Sequence, residues 1–475
     1  MKALLESIFG YQRKLPVWLR VVLGLVLVTL LVLYVRAGIH HGQTNNPVID
    51  RNDQLVYLKG AMDMPPSHFQ HFVPRMRMPM YMWLLGVAAI FQHPTNVPDA
   101  DLNSFYPVAQ AYSVGLSLVW LFAMFFLLRR WLGNWIGLCF IGVVGAQLYV
   151  LRGPYVQPEL TLTAFITVTI AWLAYSLHRP SWFNGMICGF LLCGWFLTKA
   201  SAQIGFGLFG AFLGLKWLLA PRGQKMPYII CGLVTVAAYI LPMSPYLWNS
   251  YQIFHNPFYN VQGKYYMWAT DVDEKHFLQK TSLDRNLDYI TDHPERVAEL
   301  PSSAKYWREH PWQSPALQKN TRDLKTIGIV DRLFHGMDMM FNDAFDEYMG
   351  LYFMIGVWIC IVLWAMAVYW QDAASRLWEY KWELLFATVL VSLFAFLFGW
   401  FVPIKAGPRL INSVALIPLF FATAMTHKLL KDKTLSYGGA TLSVERIAAT
   451  VFLIFWGVFS ALQVPAELQL GYFGG

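Results

Sequence analysis

Apolar side chains gather along this chain in blocks of the length a helix needs to cross a bilayer, roughly 20 residues. Marked by length, the blocks predict eleven membrane-spanning helices, at about 16–37, 105–128, 134–151, 158–177, 183–198, 201–219, 227–247, 348–370, 383–402, 409–427 and 446–464. Two stretches need an argument. Met78 to Phe91 is apolar but covers only 14 residues, which suits a helix lying at the interface better than a span. Met186 to Ala220 holds 35 residues. As one helix it would be about 52 Å long, too much for a single crossing, so it divides at Lys199.

Loop charge tests this division. With eleven spans, Arg129 and Arg130, Arg179, the Lys216, Arg222 and Lys225 group, Arg376 and Lys381, and Lys428, Lys431, Lys433 and Arg446 fall on the same side as the basic N-terminus. Changing either choice alone scatters them over both faces. The positive-inside rule therefore predicts a cytoplasmic N-terminus. Arg13, Lys14 and Arg20 precede the apolar Val21–Val35 run in the layout of a signal anchor, and no small-residue cleavage pattern follows, so this run is kept as the first span.

Composition agrees with a chain solvated by lipid. Of 475 residues 56% are hydrophobic and 13% charged, half the charge of an ordinary soluble domain. That excludes a disordered chain, a small disulfide scaffold and an ordinary cytosolic enzyme. The net charge of +8 is a topological signal, since no basic-aromatic nucleic-acid motif accompanies it. Cys139, Cys188, Cys193, Cys231 and Cys360 all lie in apolar runs and read as core packing. Three modules follow: residues 1–247 with spans one to seven and an outer loop at 38–103, an outer loop domain at 248–346, and residues 347–475 with spans eight to eleven. The middle stretch carries 14 of the 28 acidic residues, broken by Pro257, Pro294, Pro301, Pro311 and Pro315, and predicts a small helical or irregular outer domain.

Ionisable side chains at membrane mouths are expensive and are functional candidates by default. Here they collect on the outer side: Asp50, Arg51 and Asp53 after span one, Arg75 and Arg77 ahead of the short apolar helix, Glu159 at the mouth of span four, Lys199 between spans five and six, and Lys405 and Arg409 before span ten. Each has a plainer competing reading. Asp53 and Glu159 suit helix caps, Arg77 a snorkelling anchor, Lys199 a cap on the carbonyls of span five, Arg409 a lipid-headgroup contact, and Tyr57 and Tyr81 packing. His68-Phe69-Gln70-His71 has metal-compatible spacing, but a solvated aromatic loop produces such sets by chance. Asp99-Ala100-Asp101 and Asp271-Val272-Asp273 match a D-x-D pattern without a nucleotide-binding domain around them.

Six elements in order then resemble the GT-C membrane glycosyltransferases, the superfamily of protein O-mannosyltransferases and lipid A aminoarabinose transferases. They are Asp53-Gln54 with Tyr57 and Ala61; Arg77-Met78-Pro79-Met80-Tyr81-Met82-Trp83-Leu84; Glu159; Leu197-Thr198-Lys199; Asn256-Pro257-Phe258-Tyr259-Asn260; and a basic link entering the Pro408–Pro418 run. The resemblance covers roughly residues 49–420. It departs at Gln54, where many relatives have Glu, and at Glu159, where relatives often have Asp.

The resemblance implies an all-α polytopic fold of the GT-C type, with interfacial helices in the first outer loop. It implies inverting transfer of a sugar from a polyprenyl-phosphate donor to a glycan, lipid or protein acceptor on the periplasmic face of a bacterial inner membrane. Asp53 is the base, with Asp50 as the alternative. Lys199, Arg409, Arg77 and Lys405 meet the donor phosphate, and Glu159, Tyr57, Tyr81 and Arg75 line the substrate. Such chemistry requires no nucleotide. Relatives differ in divalent-metal use, so a metal shared by Asp53 and Glu159 stays open. A transporter or flippase of lipid-linked sugars, or a noncatalytic membrane subunit, would show internal repeats with midplane charges or a partner-binding outer loop instead.

Overall fold

The computed structural model describes residues 16–46, 54–65, 78–92, 102–254, 349–401 and 409–470, with a few isolated positions besides. Its elements, in order, are α1 (Val17–Asn45), α2 (Gln54–Asp63), α3 (Met80–Gln92), α4 (Leu102–Val144), α5 (Glu159–His178), α6 (Trp182–Thr198), α7 (Ala202–Leu219), α8 (Met226–Phe254), α9 (Met349–Val368), α10 (Trp370–Glu379), α11 (Lys381–Phe401), α12 (Arg409–Leu430), strands β1 (Thr434–Tyr437) and β2 (Ala440–Ser443), and α13 (Val444–Leu470). Each of the eleven apolar blocks is helical. Among the described residues seven helices are long and apolar enough to cross a membrane, or eight if the bent pair α10–α11 forms one span. The long outer stretch between α8 and α9, expected as a separate domain, lies almost wholly outside the described residues.

Where the apolar blocks break, the backbone has a reason. α4 is two helices joined at Gly133, whose φ of 65° and ψ of 178° interrupt the helical path. A Cβ there would stand 2.6 Å from His427 Cε1, so the turn needs glycine both for its dihedral and for its neighbour. α4 ends in a π-helical turn, Gly145–Tyr149, and a last α turn, Val150–Arg152. α6 stops at Thr198 and α7 starts at Ala202, with extended Lys199 between them. Thus the 35-residue apolar run folds as the antiparallel pair its length required.

α5 is the mast of the bundle, buried along almost its whole length against α4, α6, α11 and α12. Two of its interior hydroxyls bond back along the helix, Thr163 Oγ1 donating to the Glu159 carbonyl at 2.7 Å and Thr167 Oγ1 to that of Thr163 at 2.8 Å. α6 and α8 approach at backbone distance: a Cβ at Gly185 would sit 2.5 Å from the Cys231 carbonyl and one at Gly189 2.6 Å from that of Thr235. Gly185-Met186-Ile187-Cys188-Gly189 is thus the small-residue seam of a membrane helix pair.

Three features depart from the sequence reading. Cys360 is exposed on α9, while the other four cysteines are buried. α9 is apolar on all sides, so its pattern alone does not separate the packed face from the outward one. α10 is a short amphipathic helix bent 72° from α11. Finally, the basic link after α12 contains the hairpin β1–β2, turning through Gly438 and Gly439, both with positive φ.

Candidate functional site

Of the expected site residues, Glu159, Tyr57, Tyr81, Lys199 and the backbone of Arg409 lie on or next to described helices whose directions are fixed by packing. α5 runs from Glu159 to His178. α6 returns beside it, Gly194 meeting Phe165, so Lys199 ends at the Glu159 end. α12 runs parallel to α5, since its last turns at Ala424, Met425 and Lys428 share a cavity with Ala174, Tyr175 and His178. Its first residue, Arg409, is 19 positions back along the helix, about 28 Å at 1.5 Å per residue, and so falls level with Glu159. The side chain of Arg409 is outside the description, as are Asp50, Asp53, Arg75, Arg77 and Lys405.

Gln54, one peptide bond from Asp53, holds this end together. Its side chain is fully buried. It exchanges two amide hydrogen bonds with Asn46 at the end of α1, Asn46 Nδ2 donating to Gln54 Oε1 at 2.9 Å and Gln54 Nε2 to Asn46 Oδ1 at 3.1 Å. Gln54 Oε1 also accepts from the Val156 N–H at 2.9 Å and the Tyr106 hydroxyl at 3.2 Å. The Asn46 carbonyl accepts from Tyr106 and from Gln110 Nε2, each at 2.9 Å. One uncharged node therefore joins α1, α2, α4 and the link into α5. As a neutral amide the Gln54 side chain can both donate and accept, and here it does both.

A second layer lies below the node. Tyr81 shares a 2.8 Å hydrogen bond with Ser113 of α4 and meets Tyr57 edge to face at 5.5 Å. Burial raises the pKa of the Tyr81 phenol well above the usual tyrosine range, and the Glu159 carboxylate adds to the shift. Tyr57 and Tyr81 are buried among α2, α3 and α4. Tyr155, on the link, is flanked by the His41 ring at 6.1 Å and by the Arg152 guanidinium at 5.5 Å.

Lys199 connects to the same region through aromatic packing. Its backbone N–H bonds to the Trp195 carbonyl at 2.7 Å, ending α6. The preceding turn holds Phe196 against Tyr246 of α8 at 5.9 Å, and the Tyr246 hydroxyl reaches Met78 Sδ at 3.7 Å. Met78 directly follows Arg77. So the lysine of α6 and the segment entering α3 flank one aromatic cluster. Among the described residues no three of His, Cys, Asp and Glu gather to hold a metal ion.

The cations expected on the opposite side collect at the other end of α5. Lys216 Nζ donates to the Leu177 carbonyl at 2.5 Å, Arg130 Nη2 to the Tyr175 hydroxyl at 2.5 Å, Lys433 pairs with Asp372, and Arg446 lies over the Trp135 ring at 5.9 Å.

No family model matches the sequence, and no curated protein does. A solved structure does: the archaeal oligosaccharyltransferase AglB from Archaeoglobus fulgidus, in complex with an inhibitory peptide and a dolichol-phosphate, matches over 94% of this chain with a TM-score of 0.50 at 13% identity. The chain has the GT-C fold. It spans 56% of that protein's length. In this GT-C bundle the Glu159 end of α5 is built from the elements α1 to α4, and it is a multi-pass membrane protein by its helices. Sequence reasoning missed Asn46, Tyr106, Gln110 and Ser113. Their signal is weak, a few polar residues within apolar helices, and their convergence is tertiary.

Proposed function

We propose that this chain is an inverting glycosyltransferase that moves a sugar from a polyprenyl-phosphate donor to an acceptor hydroxyl, at the periplasmic face of a bacterial inner membrane. One observation carries the reading. On a GT-C fold, Glu159, Lys199, the head of α12 and the node beside Asp53 gather at one end of the bundle, and the cations of the positive-inside pattern gather at the other. The dolichol-phosphate held by AglB is a lipid phosphate of the kind such a transfer would release.

In the proposed reaction the acceptor oxygen attacks the anomeric carbon. The new C–O bond forms as the bond from that carbon to the phosphate oxygen breaks. The hydroxyl proton passes to Asp53, or to Asp50, and the electron pair leaves with polyprenyl phosphate. Lys199, Arg409, Arg77 and Lys405 stabilise the charge that grows there. Glu159 and Arg75 orient the sugar. Tyr57 and Tyr81, engaged in packing, support the wall behind it. The sugar and acceptor are set by pocket contacts that these residues do not define.

The test is incubation of the purified protein with a radiolabelled polyprenyl-phosphate sugar and a candidate acceptor extract. Release of free polyprenyl phosphate supports the enzyme. Translocation of intact donor in vesicles without release would replace it with a flippase, and neither outcome would favour a noncatalytic subunit.

A further inference from the structure

Far from the proposed catalytic end, about 28 Å along α5, lies a cavity of about 190 Å³. Its apolar walls are Ala171, Ala174, Phe420, Phe421, Leu384 and Met425, and its rim carries Arg130, Arg179, Lys428, His178, Tyr380 and Glu383. The volume is on the order of six waters, more than a bare phosphate fills.

Charge at the rim favours an anion. Glu383, the carboxylate in the wall, is buried, with Lys216 Nζ 3.5 Å and His178 Nδ1 3.6 Å from its Oε1 offsetting its charge. Glu379 just outside pairs with Arg376 at 2.9 Å and faces His178 at 3.9 Å. Among the described residues none of Arg130, Arg179 and Lys428 has a carboxylate within ion-pair distance. Instead Arg130 rests over the Tyr175 ring at 4.6 Å and Lys428 over Tyr380 at 5.7 Å. Three cations thus line a largely apolar cleft whose one carboxylate, Glu383, is faced by Lys216 and His178.

Depth decides between a lipid and a soluble anion. α10 lies beside the rim, bent away from α11, with Trp370 and Trp378 exposed and Lys381 over the Trp378 ring at 3.4 Å. Exposed Trp182 and Phe183 start α6 at the same end. Aromatic rings and basic side chains at one level mark the headgroup layer of a bilayer. We propose that this cavity is a binding site for an anionic glycerophospholipid, its phosphate held by Arg130, Arg179 and Lys428 and the top of an acyl chain lying along Phe420, Phe421 and Leu384. The site is independent of the glycosyltransferase reading.

Native mass spectrometry of the detergent-purified protein, titrated with phosphatidylglycerol or phosphatidylcholine, tests it. One phosphatidylglycerol should be retained preferentially, with affinity on the order of tenfold or more above phosphatidylcholine. The preference should vanish in Arg130→Gln/Arg179→Gln/Lys428→Gln and persist in Arg222→Gln/Lys225→Gln/Lys431→Gln, which removes equal charge from outside the cavity. Should the first variant fold poorly, Ala174→Leu, which fills the cavity and leaves every cation, should also abolish retention. Equal retention of both lipids by the wild type, or equal loss in the two charge variants, overturns the proposal. So does displacement of the bound lipid by millimolar inorganic phosphate, which would make this a soluble-anion site.

Discussion

His427 closes on Gly133 at the turn between the two halves of α4, with its Nδ1 2.9 Å from Glu445 Oε1 of α13. Chain reversal, imidazole and carboxylate thus form one contact among three helices. Gly133→Ala imposes a Cβ on a φ of 65° and against that ring. The expected loss is about 1–3 kcal/mol. Thermal unfolding in detergent should fall accordingly, and His427→Ala in the same chain should restore only part of it, because the dihedral strain remains. Full restoration would locate the cost in the contact alone.

Gln54→Leu removes the acceptor used by Asn46 Nδ2 and the Val156 N–H, while the Tyr106 hydroxyl keeps the Asn46 carbonyl. Leaving such buried donors unmatched costs on the order of 1–3 kcal/mol each at most sites, so a total of about 3 kcal/mol is expected after relaxation. Hydrogen exchange at the Val156 amide reports it locally and should accelerate, while amides in the middle of α5 hold their protection.

Asp53→Asn should lower turnover by about 10²–10⁴-fold with helix content and elution volume unchanged. Asp50→Asn is the companion variant. Whichever of the two carries the larger loss in kcat is the base, and wild-type turnover in both would remove these carboxylates from the chemistry.

Lys199→Ala should reduce kcat/KM by about 10²-fold, with Lys199→Arg retaining more of it, since a cation facing a leaving phosphate stabilises charge that develops late. Lys199 sits at the turn after α6, where its backbone N–H, unchanged in either variant, ends the helix.

Much of this fold is legible in the sequence because membrane crossing imposes a length. The break at Lys199 follows from a run too long to be one helix, and the break near Gly133 from Arg129 and Arg130, which cannot sit inside hydrocarbon. α10 is harder, since Trp370, Ala373, Leu377 and Trp378 give one stripe in a charged segment. The hairpin had its signal in Gly438-Gly439 between alternating residues, overshadowed by the surrounding lysines. The candidate carboxylates and cations could be found from short motifs. Their supports could not, because Asn46, Gln54, Tyr106 and Gln110 are scattered over 65 positions and acquire meaning only when α1, α2 and α4 meet.

The joint at Gln54 has one more implication. It is assembled from amides, a phenol and peptide groups, residue types that keep the same ionic state throughout the range where carboxylates and imidazoles exchange protons. This joint is therefore indifferent to acidity near neutrality, and under the proposed reaction a bell in the rate against pH would have its origin in groups other than these amides.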